Sequence, residues 1–137
     1  MHDDAKAVIE GLMAAWWRQD AEAVLCHFAD SIFYTVHEPE SMAEHEARIV
    51  GKSQMRIHLH DVRATWQFLY LAPMTLVANG QDVRGQVMFL SVHRRTGLRY
   101  SGTKRFEWRV EDGLVIECAK FHDCARLKAF LASAEAS

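Results

Sequence analysis

Lys104 is the residue whose position most invites chemistry. It belongs to the run Leu98, Tyr100, Gly102, Lys104, Phe106, Trp108 and Val110, which alternates with Arg99, Ser101, Thr103, Arg105, Glu107 and Arg109. A strand with that alternation buries one face and wets the other, so the lysine falls on the buried side. There it is either a pocket cation for an acidic or carbonyl ligand, or a side chain that snorkels out at the sheet's rim. A carboxylate partner would hold both groups charged without free water, and a Lys104–Asp123 or Lys104–Glu38 pair would meet that need. Glu38 continues the strand face of Ile32, Tyr34 and Val36, from which a carboxylate could look inward. It also begins the stretch Glu38 to Glu46, which carries four glutamates with neither lysine nor arginine and reads as a solvated loop. Asp123 stands where a terminal helix opens, and as its N-cap would contribute about 0.5–2 kcal/mol relative to alanine.

The remaining polar candidates have plainer readings. His37 alternates away from Glu38, and His93 shares a face with Val87, Phe89 and Ser91. Each reads as a hydrogen-bonded core or dimer-face residue, although histidine is the natural titrating group at neutral pH. His58-Leu59-His60-Asp61 makes a poor metal site, because residues two apart on a helix diverge by roughly 200°. His58 lies beside the apolar stripe and His60 points elsewhere. Cys26, Cys118 and Cys124 are odd in number and lack metal spacing, so reduced, partly buried thiols are expected.

These side chains sit in one domain spanning residues 1–137, a length sufficient for a sizeable core. Half the residues are hydrophobic and a quarter are charged, and the net charge is −2. That balance leaves no basic footprint for nucleic acid. No apolar run approaches the roughly 20 residues of a membrane span. The polar, acidic start does not read as a signal peptide, so a cytoplasmic location is expected.

Ala5, Val8, Ile9, Leu12, Met13 and Trp16 recur at helical spacing. Asp20 is placed to cap a second short helix with Val24, Leu25 and Phe28 on one face. From Ser31 the period becomes two and Pro39 stops the run. Gly51 then precedes a third helix with Met55, Leu59, Val62 and Trp66 on one stripe. Beyond Phe68, Asn79-Gly80, Thr96-Gly97 and Asp112-Gly113 supply turns between four strand-like runs. Gly85 and Gly102 fall inside strands, where glycine marks a bulge or sharp bend. A short terminal helix carries Leu127, Phe130 and Leu131. The expected fold is α+β: three main helices closing a strongly curved antiparallel sheet around an apolar pocket. Trp16, Tyr34, Trp66, Tyr100, Phe106, Trp108 and Phe121 would line that pocket, core packing being the alternative for each.

Several short motifs, in order and spacing, resemble the SnoaL-like branch of the nuclear transport factor 2-like (NTF2-like) superfamily, over about residues 5 to 131. They are Phe28-Ala29-Asp30 closing the second helix, Thr35-Val36-His37-Glu38-Pro39 ending the first strand, and Gly51 before the third helix. Trp108-Arg109-Val110-Glu111-Asp112-Gly113 at the last hairpin and Phe121-His122-Asp123 at the final strand end complete the set. The resemblance implies a cone-shaped, cystatin-like domain, commonly a homodimer, that holds its ligand between helices and concave sheet. It places Glu38 where ketosteroid isomerases carry their proton-abstracting aspartate. Asp123 matches the acid/base aspartate of SnoaL-type polyketide cyclases and a pocket carboxylate of limonene epoxide hydrolases. The isomerases' oxyanion-donating tyrosine aligns with Leu12, and their supporting protonated aspartate aligns with Phe106. Phe106 also stands where the cyclases have a partner histidine. A dienolate would be left unstabilised, so steroid isomerisation is not expected.

The expected function is binding of a small apolar or carbonyl-containing molecule, with Asp123, Glu38 and Lys104 as catalytic candidates. The chemistry would be acid/base isomerisation, cyclisation, dehydration or epoxide opening, with no cofactor and no metal. The competing expectation is a hydrophobic-ligand-binding or dimerisation module without turnover. A third is an accessory subunit like the small chains of ring-hydroxylating dioxygenases.

Overall fold

The first segment is helical because one stripe of it is apolar. In α1 (His2–Trp17) the residues Ala5, Ile9, Leu12, Met13 and Trp16 are buried, three or four positions apart. The structure is a computed structural model and describes residues 2–37, 47–121 and 124–136. α2 (Ala21–Leu25) opens as its sequence requires, with the Asp20 carboxylate accepting from the Ala23 amide at 3.1 Å. Phe28, expected on that helix, instead begins β1 (Phe28–His37). The reason lies in a distant strand: Phe28 pairs with Val115, whose amide donates to the His27 carbonyl at 2.8 Å.

β2 (Ala47–Val50) is a four-residue strand too short to show a period of its own. Gly51 follows with φ +86°, a conformation that suits glycine, and α3 (Lys52–Thr65) begins there. Arg56 on α3 forks onto the Glu22 carboxylate of α2, at 2.8 and 3.1 Å. That pairing holds the Glu22 carboxyl below its ordinary range. Trp66, expected to extend the α3 stripe, starts β3 (Trp66–Asn79), since the helix gives way to strand without glycine or proline as a marker.

β4 (Asp82–His93), β5 (Arg99–Glu111) and β6 (Leu114–Phe121) complete one sheet, ordered β2-β1-β6-β5-β4-β3, before α4 (Cys124–Ala136). The sheet is curved, but it is mixed rather than wholly antiparallel, because β1 and β6 run parallel. Alternation along a strand reports its faces and carries no information about its direction. Four helices are described, the terminal one longer than expected.

Curvature comes from irregular pairing at the β3 edge. Register shifts occur between Phe68 and Tyr70 and between Pro73 and Thr75, and an edge strand tolerates Pro73. Gly85 lies across from that second shift, opposite Leu76, so the bulge belongs to its neighbour strand rather than to its own. A side chain at Gly85 would collide with the Thr75 carbonyl oxygen. At the start of β3, Gln19 acts as a short substitute for a neighbouring strand. Its Nε2 donates to the Trp66 carbonyl at 2.9 Å and its Oε1 accepts from the Phe68 amide at 3.0 Å.

The core lies between α1, α2, α3 and the concave sheet face, with Ile9, Phe28, Ile32, Tyr34, Met55, Val83, Val87 and Val115 fully enclosed. Tyr34 stacks on Trp16 at 6.1 Å between ring centroids, yet its buried hydroxyl has no hydrogen-bond partner among the described residues. Desolvation, reinforced by the neighbouring Cys118 thiol, pushes that phenol well above its ordinary pKa. An unsatisfied buried hydroxyl costs about 1–3 kcal/mol. Tyr34→Phe keeps the stack and removes that cost, so urea denaturation should show stability unchanged or raised by about 1 kcal/mol. Gly85→Ala should instead lower it by roughly 1–3 kcal/mol, because a backbone carbonyl cannot yield as a flexible side chain can.

Candidate functional site

The curved sheet and its helices leave a cavity of about 280 Å³ over the concave face. Even-numbered residues of β5 point into it, which brings Tyr100, Lys104 and Phe106 to its wall. β4 adds Phe89 and Ser91, β6 adds Lys120, and α1 adds Met13 and Trp16. α3 presents His58 and Val62, β3 presents Trp66, Phe68 and Leu71, and α4 contributes Leu127. Phe130 of α4 packs against Tyr100 and Trp66, at 4.9 and 5.7 Å between ring centroids. Arg126 lies over the Tyr100 ring and donates to the Ser101 carbonyl at 2.5 Å. Gly102 leaves room for that guanidinium, since a Cβ there would lie 2.6 Å from Arg126 Nη1.

Lys104 points inward, its Nζ 4.3 Å from the centroid of the Phe89 ring. No hydrogen bond or ion pair joins it to any described residue. Burial, and then the nearby positive charge of Lys120, push its pKa well below the ordinary lysine value. His58 Nε2 is buried without a hydrogen-bond partner among the described residues, and its ring lies 5.4 Å from that of Tyr34. Desolvation lowers the His58 pKa to about 4; Lys120 and Lys104 add to the effect and Asp61 opposes it. At neutral pH this wall therefore offers a neutral imidazole and an amine that resists protonation. No carboxylate lines the cavity among the described residues.

The structure brings together Trp16, Trp66, Tyr100, Phe106 and Lys104, and it separates the others. Tyr34 and Trp108 are core residues beside the cavity, Trp108 lying parallel to Phe106 at 5.1 Å. Phe121 faces the other way: it stacks on His37 at 4.9 Å and carries the Arg105 guanidinium over its ring. The parity of β6 explains this, because Lys120 takes the inward position that places Phe121 outward. Glu38 and Asp123, and any pairing of either with Lys104, lie outside the described residues. His93 Nδ1 shares a hydrogen bond with Thr96 Oγ1 at 2.9 Å, and His37 Nε2 shares one with Thr35 Oγ1 at 2.8 Å. Sequence reasoning missed Lys120 and His58 as cavity residues. The available signal was Lys120 in step with the buried Cys118, two positions away.

The convex face holds a second concavity of about 520 Å³ with a different character. Arg48, Arg84, Arg109, Asp82, Glu107 and Glu117 border it, and Asp82 pairs with Arg109 at 3.4 Å. Phe33 also lines it, and Met88 and Val77 are exposed elsewhere on the sheet. Among the described residues no cluster of His, Cys, Asp or Glu could hold a metal ion.

An open curved sheet with helices over its hollow defines an α+β cone. No protein-family model and no curated protein matches the sequence. Solved structures do match over nearly the whole length. An NTF2-like protein from Burkholderia xenovorans LB400 superposes with a TM-score of 0.76 at 17% identity, covering 94% of this chain and 96% of that one. A protein assigned as a polyketide cyclase, from Xanthomonas campestris pv. campestris, gives 0.78 at 16%, covering 93% and 96%. An LEH-like epoxide hydrolase of M. tuberculosis gives 0.75 at 17%, covering 99% and 98%. The chain has the NTF2-like fold, the one shared by SnoaL-like and ketosteroid isomerase-like proteins.

His58 ties the cavity to acid stability. Its folded pKa of about 4 lies below the unfolded value of 6.5, so the unfolded chain binds the proton more readily. The contribution is complete above pH 6.5 and is lost as pH falls toward 4, on the order of 3 kcal/mol. Urea denaturation at pH 7 and pH 4.5 should show this loss in the native chain and much less of it in His58→Leu. A His58 NMR titration midpoint near 6.5 would contradict the assignment.

Proposed function

We propose that the cone binds a small apolar molecule carrying one acidic or carbonyl oxygen, which it receives at Lys104. The observation that carries this reading is a lysine lodged on an aromatic wall with no carboxylate beside it among the described residues. An aromatic cavity favours a planar or alicyclic body, and a buried donor favours the ligand that satisfies it. Solved structures of the same fold include an epoxide hydrolase-like enzyme and a protein assigned as a polyketide cyclase, which supports small-molecule chemistry in such a cone. Turnover by acid/base chemistry would draw on Asp123 or Glu38 as the base, with Lys104 polarising the substrate oxygen. Replacing the isomerases' oxyanion donors with Leu12 and Phe106 argues against a steroid dienolate in this site.

The same proposal includes a homodimer through the convex face. Exposed Phe33 and a border that carries both charge signs would suit an interface between two copies related by a two-fold axis. Sedimentation should give a dimer that Arg84→Glu weakens, whereas a monomer at all concentrations would remove this part of the reading.

2-Naphthoate should quench tryptophan fluorescence saturably. Lys104→Met should weaken that binding about tenfold or more while sparing neutral 2-naphthylmethanol, since a hydrogen bond to a charged group contributes about 1.5–3 kcal/mol. If neither compound quenches saturably, the cavity is not a ligand site for this class.

A further inference from the structure

The position of Lys104 permits more than charge recognition. A lysine that serves as a plain cation is normally paired with a carboxylate or placed at a wet rim. Lys104 has neither arrangement among the described residues: its Nζ rests on the face of Phe89 inside the cavity. Among the described residues the charged or titratable groups that share the cavity with Lys104 are His58 from α3, Tyr100 from β5 and Lys120 from β6, and Arg126 of α4 lies over the Tyr100 ring. None of these is a carboxylate. The environment therefore favours the amine with its lone pair available, as it does for lysines desolvated beside a second cation. The shifted pKa of Lys104 agrees in direction and in its two causes, burial first and Lys120 second.

We propose that Lys104 is a nucleophile that forms an imine with the carbonyl carbon of a small apolar aldehyde or ketone held in the cone. This rests on the reading of the cone as a ligand cavity. The Nζ lone pair attacks the carbonyl carbon, a C–N bond forms, and the C=O π pair moves onto oxygen. Transfer of one N–H proton to that oxygen gives a neutral carbinolamine. The C–O bond then breaks, and oxygen leaves as water with both protons that the amine began with. The result is a C=N bond with no change in oxidation state and no co-reactant. Protonated, that imine withdraws electrons from the neighbouring carbon and eases loss of a proton there. Lys120 has a defined part as an electrostatic residue, since its charge adds to burial in disfavouring protonation of Lys104.

The test traps the imine on the full-length protein. 2-Naphthaldehyde with sodium cyanoborohydride at neutral pH should attach one naphthylmethyl group, mapped to Lys104 by peptide mass spectrometry. Labelling of Lys104 should outrun that of the surface lysines Lys6, Lys52 and Lys128 at least about tenfold, the gain in amine fraction for each unit of lowered pKa. Its rate should rise with pH to a midpoint well below the ordinary lysine value, and Lys120→Met should move that midpoint upward. Lys104→Arg should abolish the adduct while still binding 2-naphthylmethanol, which confirms that the cavity is intact. Labelling spread evenly over surface lysines overturns the proposal. If 2-naphthylmethanol binds the native chain but Lys104 stays unlabelled, the imine is refuted and the cavity stands. If 2-naphthylmethanol does not bind, both readings fall together.

Discussion

The concave face of the sheet is apolar along most of its width, and a thin layer of helices has to keep water from it. A helix is a nearly straight cylinder about 10–12 Å across, whereas this sheet bends. α1 packs chiefly along β3, the bulged edge strand, and makes far fewer contacts with β4 and β5. The two surfaces therefore part company over the middle strands, and the cavity is the space between them. Gln19, just past the end of α1, ties that helix end to the first residues of β3. The aromatic residues fill what they can, and Phe130 and Leu127 of α4 cover part of the remainder.

The chemistry of that space follows from which polar groups it excludes. A cavity lined by Trp16, Trp66, Phe89 and Phe106 has little capacity to solvate a charge, which favours the neutral forms of His58 and Lys104. For both groups burial is the larger cause, and the positive charge of Lys120 disfavours protonation further. A carboxylate introduced by a ligand would reverse the balance, while a carbonyl compound would find donors and a lone pair. The convex face is organised on the opposite principle, with arginines and carboxylates sharing a wet surface.

Much of this was legible in the sequence because strand alternation in β5 is unusually regular. It placed Tyr100, Lys104 and Phe106 on one face, and Asp20, Gly51 and the three turn glycines marked element ends correctly. What stayed hidden depends on distant pairing. Phe28 reads as helical until Val115 claims it for the sheet, and Trp66 reads as the end of a stripe until β4 pairs with it. Phe121 looked like a cavity aromatic because its type suggested it, whereas its side follows from the register of β6 against β1. Strand direction has no local signature, so the parallel pairing of β1 with β6 could not be seen. Lys120 is hidden for a related reason: its inward side follows from the register of β6 against β1 and β5.

That parallel pairing also dictates an order of events as the chain is made. β1 is made well before its central neighbour β6, with β2, α3 and the meander of β3, β4 and β5 between them. The meander of β3, β4 and β5 closes by short turns and can form on its own schedule, because loop closure there is inexpensive. Insertion of β1 beside β6 has to wait until α3 and the strands β3 to β6 have all been made. Until then the stripe of Ile32, Tyr34 and Val36 has no sheet to join, and the nascent chain carries an apolar ribbon with an unpaired edge. Such non-local closure slows folding and lengthens the interval in which self-association competes with it.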